Sequence, residues 1–274
     1  MSRPDLILYN TTNHVTTLTM NNPSRLNGWT MDMLLALRDA MERAAADPET
    51  KAVILTGADP YYCAGVNLGA VITPQHPRTL HRFIVQQNQS LFDGFLDFPK
   101  PILIAVNGPA IGACVTSATL CDAIIASDKA TFSTPFAALG VTPEGCSSVY
   151  FPRLLGARNA ERLLGPEGWK PTGAEAVEIG LAQQVVPHEE LLAEAQRVAE
   201  GWIAEGRERT LRDGATVEEL KAVNARESVQ LADAFLSPAF LKGQFQFLWR
   251  KNKRGPALMF LALLLTHPLW SLLI

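Results

Sequence analysis

Three short segments hold most of the chain's capacity for chemistry. The first, Tyr62-Cys63-Ala64-Gly65-Val66-Asn67-Leu68, follows an apolar run at 52–56. The second, Asn107-Gly108-Pro109-Ala110-Ile111-Gly112-Ala113-Cys114, follows another at 102–106. Glycine reaches backbone conformations in which successive N–H groups turn outward. A helix beginning near Gly112 would add unpaired N–H groups and a positive dipole end. Two such N–H groups from separate loops can form an oxyanion hole for a developing negative charge. Taken singly, each loop reads more readily as an ordinary strand-to-helix turn, because glycine is common punctuation there. Neither fits GxGxxG or the P-loop pattern, which disfavours dinucleotide and nucleoside triphosphate sites. The third segment, Thr142-Pro143-Glu144-Gly145-Cys146-Ser147-Ser148, has the local pattern of a helix start. In that reading Thr142 is the N-cap, Pro143 the first helical residue and Glu144 a first-turn acid.

The elements that must position these segments alternate between strand and helix. Leu6–Tyr9 and Val15–Met20 flank a polar stretch, Asn10–His14, and suggest a hairpin. Thr30 is placed to cap a helix running to about Ala46. Three apolar runs, 52–56, 102–106 and 123–126, lack alternation, which is the signature of parallel strands buried on both faces. Asp122, just before the last run, is expected to hold a turn. From Thr172 onward the chain reads as mainly helical, with amphipathic candidates at Leu191–Glu205 and Val217–Phe235 and a charged connection at Gly206–Gly214. The fold class is therefore α/β, with a layered core and a helical C-terminal region.

Composition narrows the function. The 24 basic and 27 acidic residues leave a formal charge of −3, which gives no reason to expect a nucleic-acid partner. A 47% hydrophobic content supports a sizeable core. The four cysteines, Cys63, Cys114, Cys121 and Cys146, form no CxxC pair and stand at no zinc-ligand spacing, so free thiols in a reducing compartment, without a metal site, are expected. His14, His76, His81 and His188 have no Ser or Cys partner by spacing, which leaves a Ser/His or Cys/His nucleophile a weak alternative. The first residues contain no apolar stretch of the kind found in a secretory signal.

Taken jointly and in order, the motifs resemble the crotonase (enoyl-CoA hydratase/isomerase) superfamily over roughly Leu6 to Lys253. The resemblance rests on Asn22-Pro23 with Leu26-Asn27, on Cys63–Leu68, on Asn107–Gly112 and on Cys121-Asp122-Ala123. It continues through Thr131–Phe136 and through Leu139-Gly140 with Pro143-Glu144-Gly145. The resemblance implies a ββα spiral core over residues 1–206, a helical trimerisation region over 207–254 and a tail over 255–274. It also implies an acyl-CoA thioester substrate, no separate cofactor and a homotrimer. The oxyanion hole would use the backbone N–H groups of Val66 and Ala113, with Ala64, Gly65, Asn67, Leu68 and Gly112 around the substrate.

Hydratases of this family use two glutamates, and the corresponding positions here are Thr116 and Phe136. Glu144 lies eight residues after Phe136, in a stretch that looks like the peroxisomal-type Δ3,Δ2-enoyl-CoA isomerases. By that resemblance Glu144 is the acid/base, and Phe136 keeps water away and gives the carboxylate an apolar setting. Arg25, Arg78 and Arg82 are either CoA-phosphate contacts or solvated surface charge. Other acyl-CoA reactions of the same fold stay open (dienoyl-CoA isomerisation, hydration, thioester hydrolysis), as does a non-catalytic binding or interaction module.

The tail stands apart. Residues 256–274 contain no formally charged side chain and follow the basic run Arg250-Lys251-Asn252-Lys253-Arg254. As a helix they would span ~28 Å, about one bilayer core. Two readings follow: a tail anchor or other membrane contact with its basic flank in the cytosol, or a helix packed on the protein. The isomerases that the chain resembles often end in a Ser-Lys-Leu-type peroxisomal signal, whereas this sequence closes on Leu272-Leu273-Ile274. Peroxisome and mitochondrion are the compartments the resemblance implies, with the cytoplasm or a membrane surface as alternatives.

Overall fold

The computed structural model describes residues 5–66 and 75–274. Strand β1 (Ile7–Thr12) and strand β2 (Val15–Met20) form the expected antiparallel hairpin. The turn is shorter than the sequence suggested: Thr12 pairs with Val15, leaving only Asn13 and His14 between the strands. Both turn residues have positive φ, as a two-residue primed turn requires. The polar run Asn10–Thr12 is strand because this is an edge strand with an outward face. Polar side chains there keep the β-geometry and meet solvent.

Thr30 caps helix α1 (Met31–Ala46), its hydroxyl accepting from the Met33 N–H at 3.2 Å. The chain then runs through β3 (Ala52–Gly57), α2 (Pro77–Leu96), β4 (Ile102–Val106), β5 (Ala110–Ile111) and α3 (Ala113–Thr119). Next come β6 (Ala123–Ser127), β7 (Phe132–Ser133), α4 (Phe136–Leu139), α5 (Ser147–Leu155) and α6 (Ala157–Leu164). The remaining elements are α7 (Gly173–Glu178), β8 (Gln184–Val186), α8 (Leu191–Ala204), α9 (Val217–Phe235), α10 (Pro238–Arg250) and α11 (Arg254–Trp270).

The main sheet has the order β1-β2-β3-β4-β6-β8 and is parallel from β2 onward. Val53, Leu55 and Ile104 enter one apolar cluster with α1 and α2, while Ala52, Ile54 and Leu103 enter another with Leu191, Ala195 and Trp202 of α8. Burial on both faces is why these runs carry no alternation. Strands β4 and β6 are each followed by a short second strand and then a helix. Cys63 after β3 bridges Ala110 of β5, and β5 pairs with β7 after β6. This is the ββα spiral, and it stacks the loops that follow the long strands beside one another.

Two further sequence expectations need correction. Strand β8 lies inside the stretch expected to be helical, because three residues are too few to register as a period. The segment Thr142-Pro143-Glu144 is not a helix start, since α5 begins only at Ser147. Gly145 (φ 64°) and Cys146 (φ 65°) are both left-handed and interrupt any earlier helical turn. Asp122 is structural, but it ties distant segments rather than a local turn: its carboxylate accepts from the N–H groups of Ile102 (2.9 Å) and Thr210 (2.8 Å) and pairs with Arg209 at 3.0 Å.

The C-terminal helices are continuous with the core. Leu220 and Val223 of α9 belong to the main cluster. Leu231 and Phe235 join Ile84 of α2, Phe240 and Leu241 of α10, and Ala257 and Phe260 of α11 in a third. Arg254–Leu273 is long and apolar enough to cross a membrane by length and composition, with mean hydropathy 1.7. Its Phe260 is nevertheless 1% exposed inside the third cluster, and burying such a side chain contributes roughly 1.5–3 kcal/mol. The opposite side of the helix, with Leu258, Leu265 and Leu269, faces solvent.

Candidate active site

Backbone hydrogen bonds alone bring the two glycine loops together. Cys63 N–H donates to the Pro109 carbonyl (3.3 Å), and Ile111 N–H donates to the Cys63 carbonyl (3.0 Å). Gly112 N–H donates to Ser133 of β7 at 2.7 Å, and Trp29 N–H to Gly65 at 2.8 Å. Gly65 has φ 80°, and a Cβ there would lie 2.5 Å from the Ile111 carbonyl oxygen, so only glycine permits this approach. Gly112 has φ 70° and faces open space. Directly after these glycines come Val66 and Ala113, the latter being the first residue of α3. Among the described residues neither of their N–H groups has an acceptor, which is the condition an oxyanion hole needs.

Glu144 sits on the loop between α4 and α5 and is 8% exposed. Its carboxylate makes no hydrogen bond or ion pair among the described residues. Only its backbone carbonyl is engaged, accepting from the Ser147 hydroxyl at 2.6 Å and the Ser147 N–H at 3.2 Å. Burial pushes the carboxyl up to about 8, and the neighbouring Glu227 carboxylate pushes in the same direction. Gly145 seats the loop against α3 and α2: a Cβ there would lie 2.6 Å from Thr116 Oγ1 and 2.5 Å from Phe92 Cε1. Thr116, at a hydratase glutamate position, is buried and donates its hydroxyl to Ala113 O at 3.1 Å.

Glu227 of α9 was not singled out in the sequence. It is 1% exposed and accepts from the N–H of Cys146 (2.6 Å) and of Ser148 (2.9 Å). It therefore caps α5 from another part of the chain, where the local residues supply no side-chain cap. Burial raises its own carboxyl, and these hydrogen bonds work against that rise. A signal for Glu227 does exist in the sequence. Leu220, Val223, Glu227 and Leu231 recur at helical spacing on the buried face of α9, and a charge on such a face needs a partner.

These parts meet in one cavity of ≈ 130 Å³. Ala64, Gly65, Val66, Gly112, Ala113, Phe136 and Glu144 all line it, so the described members of the predicted site converge. Asn67 and Leu68 lie outside the described residues. Leu231 and Phe235 from α9 and Asn88 from α2 complete the wall, contributions that local motifs gave no means to foresee. Glu144 is the one ionisable side chain among the described lining residues. Arg25, Arg78 and Arg82 are exposed and do not line the cavity. His81 pairs with Asp233 (2.9 Å) and His188 with Asp59 (3.1 Å). Cys114 is buried, and that burial raises its thiol well above the usual range, which removes it as a nucleophile.

A family model described as enoyl-CoA hydratase/isomerase matches residues 10–233. The chain belongs to this family, the crotonases. It is 32% identical over 278 residues to enoyl-CoA delta isomerase 2 of Rattus norvegicus, which covers 90% of this chain and 64% of that protein. It is 30% identical over 270 residues to the peroxisomal enoyl-CoA delta isomerase 3 of Mus musculus, covering 90% of this chain and 79% of the relative. The chain thus spans just under two thirds of the delta isomerase 2 relative. Among solved structures, an enoyl-CoA hydratase/isomerase from Pseudoalteromonas atlantica T6c superposes with a TM-score of 0.74 at 28% identity, covering 89% of this chain and 97% of that one.

Proposed function

We propose that the chain is a Δ3,Δ2-enoyl-CoA isomerase that serves the degradation of unsaturated fatty acids. One observation carries this reading: among the described residues a single ionisable side chain, Glu144, faces the cavity into which Val66 and Ala113 bring N–H groups without an acceptor. Thr116 and Phe136 stand at the two hydratase glutamate positions, so no second carboxylate is available there to activate water.

In this mechanism the thioester oxygen accepts from the Val66 and Ala113 N–H groups. The Glu144 carboxylate removes a proton from C2, and the electron pair moves to the carbonyl oxygen as an enolate. One oxyanion-hole donor typically lowers such a barrier by ~3–4 kcal/mol. Collapse of the enolate forms the C2–C3 double bond while C4 takes the proton back from Glu144, and the C3–C4 double bond is consumed. Atoms balance without water, and Glu144 ends as it began. Phe136, 3% exposed, helps to keep water out of the cavity. CoA arrives with the substrate, and the protein assembles as a homotrimer in this reading.

The test is a spectrophotometric assay of purified protein with 3-enoyl-CoA, comparing wild type with Glu144→Ala. Conversion by wild type and loss in the variant are expected. Absence of conversion, or a fully active variant, would sink the reading, and rapid hydration of 2-enoyl-CoA would replace it with a hydratase.

A further inference from the structure

Charge is divided unevenly along the chain. All 27 acidic residues lie at or before Asp233, which is also where the match to the family model, residues 10–233, stops. Residues 234–274, which form α10 and α11, carry Lys242, Arg250, Lys251, Lys253 and Arg254 and no acid. These five side chains are exposed, and none makes an ion pair among the described residues. Four of them cluster at the turn between the two helices. There Arg254 stacks 3.8 Å over the Trp249 ring, and Trp249 itself is 43% exposed.

The helix that follows this basic turn has two apolar faces. Ala257 and Phe260 are sealed in the third apolar cluster. On the other face Leu258, Ala262, Leu265, Leu269 and Leu272 recur at alternating spacings of four and three, which sets them in one stripe. Its leucines are 53%, 71%, 74% and 81% exposed, so the chain itself does not cover it. The stripe is ~21 Å long, and Arg254 stands one turn before Leu258 at its head. Thr266 beside it donates its hydroxyl to the Ala262 carbonyl at 2.7 Å, which leaves no unmet donor there.

We propose that α10 and α11 dock the protein on the surface of an anionic phospholipid bilayer. The leucine stripe enters the boundary between headgroups and acyl chains, and the basic turn meets the lipid phosphates and carboxylates. Trp249 has the amphipathic ring that favours this level of a membrane. The helix lies in the membrane plane rather than across it, because spanning would withdraw Ala257 and Phe260 from the cluster that buries them. A second copy seated on the stripe would add five more cations and no acid, whereas anionic headgroups supply the missing countercharge. Docking also sets the catalytic cavity close to the bilayer: Ile84 of α2 lines the cavity and belongs to the same cluster as Ala257 and Phe260. The inference does not depend on the isomerase reading.

The experiment sediments the full chain with vesicles of phosphatidylcholine alone and of three-to-one phosphatidylcholine–phosphatidylserine. Two variants are compared with wild type: Leu265→Glu with Leu269→Glu, and Arg250→Gln with Lys251→Gln and Lys253→Gln. All five positions are exposed, so thermal melts should match wild type. Wild type should bind the phosphatidylserine vesicles, bind phosphatidylcholine weakly, and be released as salt rises. Each cation near an anionic surface is worth about fivefold, so the triple variant should bind on the order of 10²-fold more weakly at low salt. The double glutamate variant should lose about tenfold or more on the same vesicles. Failure to sediment with either lipid, or equal binding to both, overturns the proposal. Loss in the triple variant alone would leave a purely electrostatic contact and overturn insertion of the stripe. A lower oligomeric mass in the double variant with unchanged vesicle binding would make the stripe an interface between copies. Protein that neither high salt nor an alkaline wash removes would span the bilayer, which also contradicts docking.

Discussion

The two halves of the proposed active site are held in different ways. On the oxyanion side, Val66 and Ala113 are placed by main-chain hydrogen bonds among short strands of the spiral, so their side chains have little to do with position. On the acid/base side, Glu144 rides on a loop without regular structure, fixed by a glycine pressed on Thr116 and Phe92 and by the carboxylate of Glu227. The lesson is an asymmetry. The oxyanion half should tolerate side-chain change, whereas the carboxylate half should fail residue by residue.

The largest expected effect is at Glu144 itself. Glu144→Gln keeps the shape and removes the proton carrier, so isomerisation should fall by about 10²–10⁴-fold in a steady-state assay. Gly145→Ala comes next. The added Cβ meets Phe92 and Thr116 at a backbone φ of 64°, and displacing the loop by even ~1 Å should cost on the order of 10²-fold in kcat. A kcat within threefold of wild type would break the claim that packing at Gly145 sets the loop.

Glu227→Gln is expected to act more gently, and through pH. The Glu144 carboxyl is raised to about 8, first by burial and then by the Glu227 charge, and the proposed mechanism starts from its deprotonated form. In wild type kcat/KM should therefore rise with pH and level off above about 8. Removing the Glu227 charge shifts that limb toward lower pH, while the weakened cap costs about 1–3 kcal/mol in a denaturation curve. A stability loss with an unmoved limb would leave Glu227 a purely structural cap. The same raised carboxyl has a stability consequence with a definite sign. Glu144 favours the folded state below its ordinary value of 4.5, and this contribution is lost as pH rises toward about 8. Glu144→Gln should accordingly be more stable than wild type at pH 8 than it is at pH 4. The smallest effect is Val66→Ala, which leaves the N–H in place and should change kcat by less than about threefold.

What could be read from sequence divides along the same asymmetry. Backbone-held parts leave a local trace: buried strands appear as unbroken apolar runs, and the loops appear as Gly65 and Gly112. The carboxylate half is assembled from segments more than eighty residues apart in the chain. Thr142-Pro143-Glu144 therefore reads as a helix start, although the helix begins only at Ser147 and is capped by Glu227 of α9 through the Cys146 and Ser148 N–H groups. The tail was ambiguous for a related reason: composition measures how apolar a helix is but not which of its residues a neighbour covers. Phe260 is covered. Truncation before Gly255 should thus lower the unfolding free energy by about 1.5–3 kcal/mol. A tail acting as a membrane anchor would instead leave stability unchanged and carry only the full-length protein into the membrane fraction.

The central claim, that one carboxylate makes both proton transfers, is tested most directly by single-turnover conversion of 3-enoyl-CoA deuterated at C2. Glu144 lies in an apolar cavity with no other ionisable side chain among the described lining residues, so the deuteron it takes from C2 should be delivered in part to C4 before solvent replaces it. Deuterium at C4 of the 2-enoyl-CoA product is the expected result. Product carrying only solvent hydrogen at C4 from the first turnover, or a 3-hydroxyacyl-CoA product, would contradict the account.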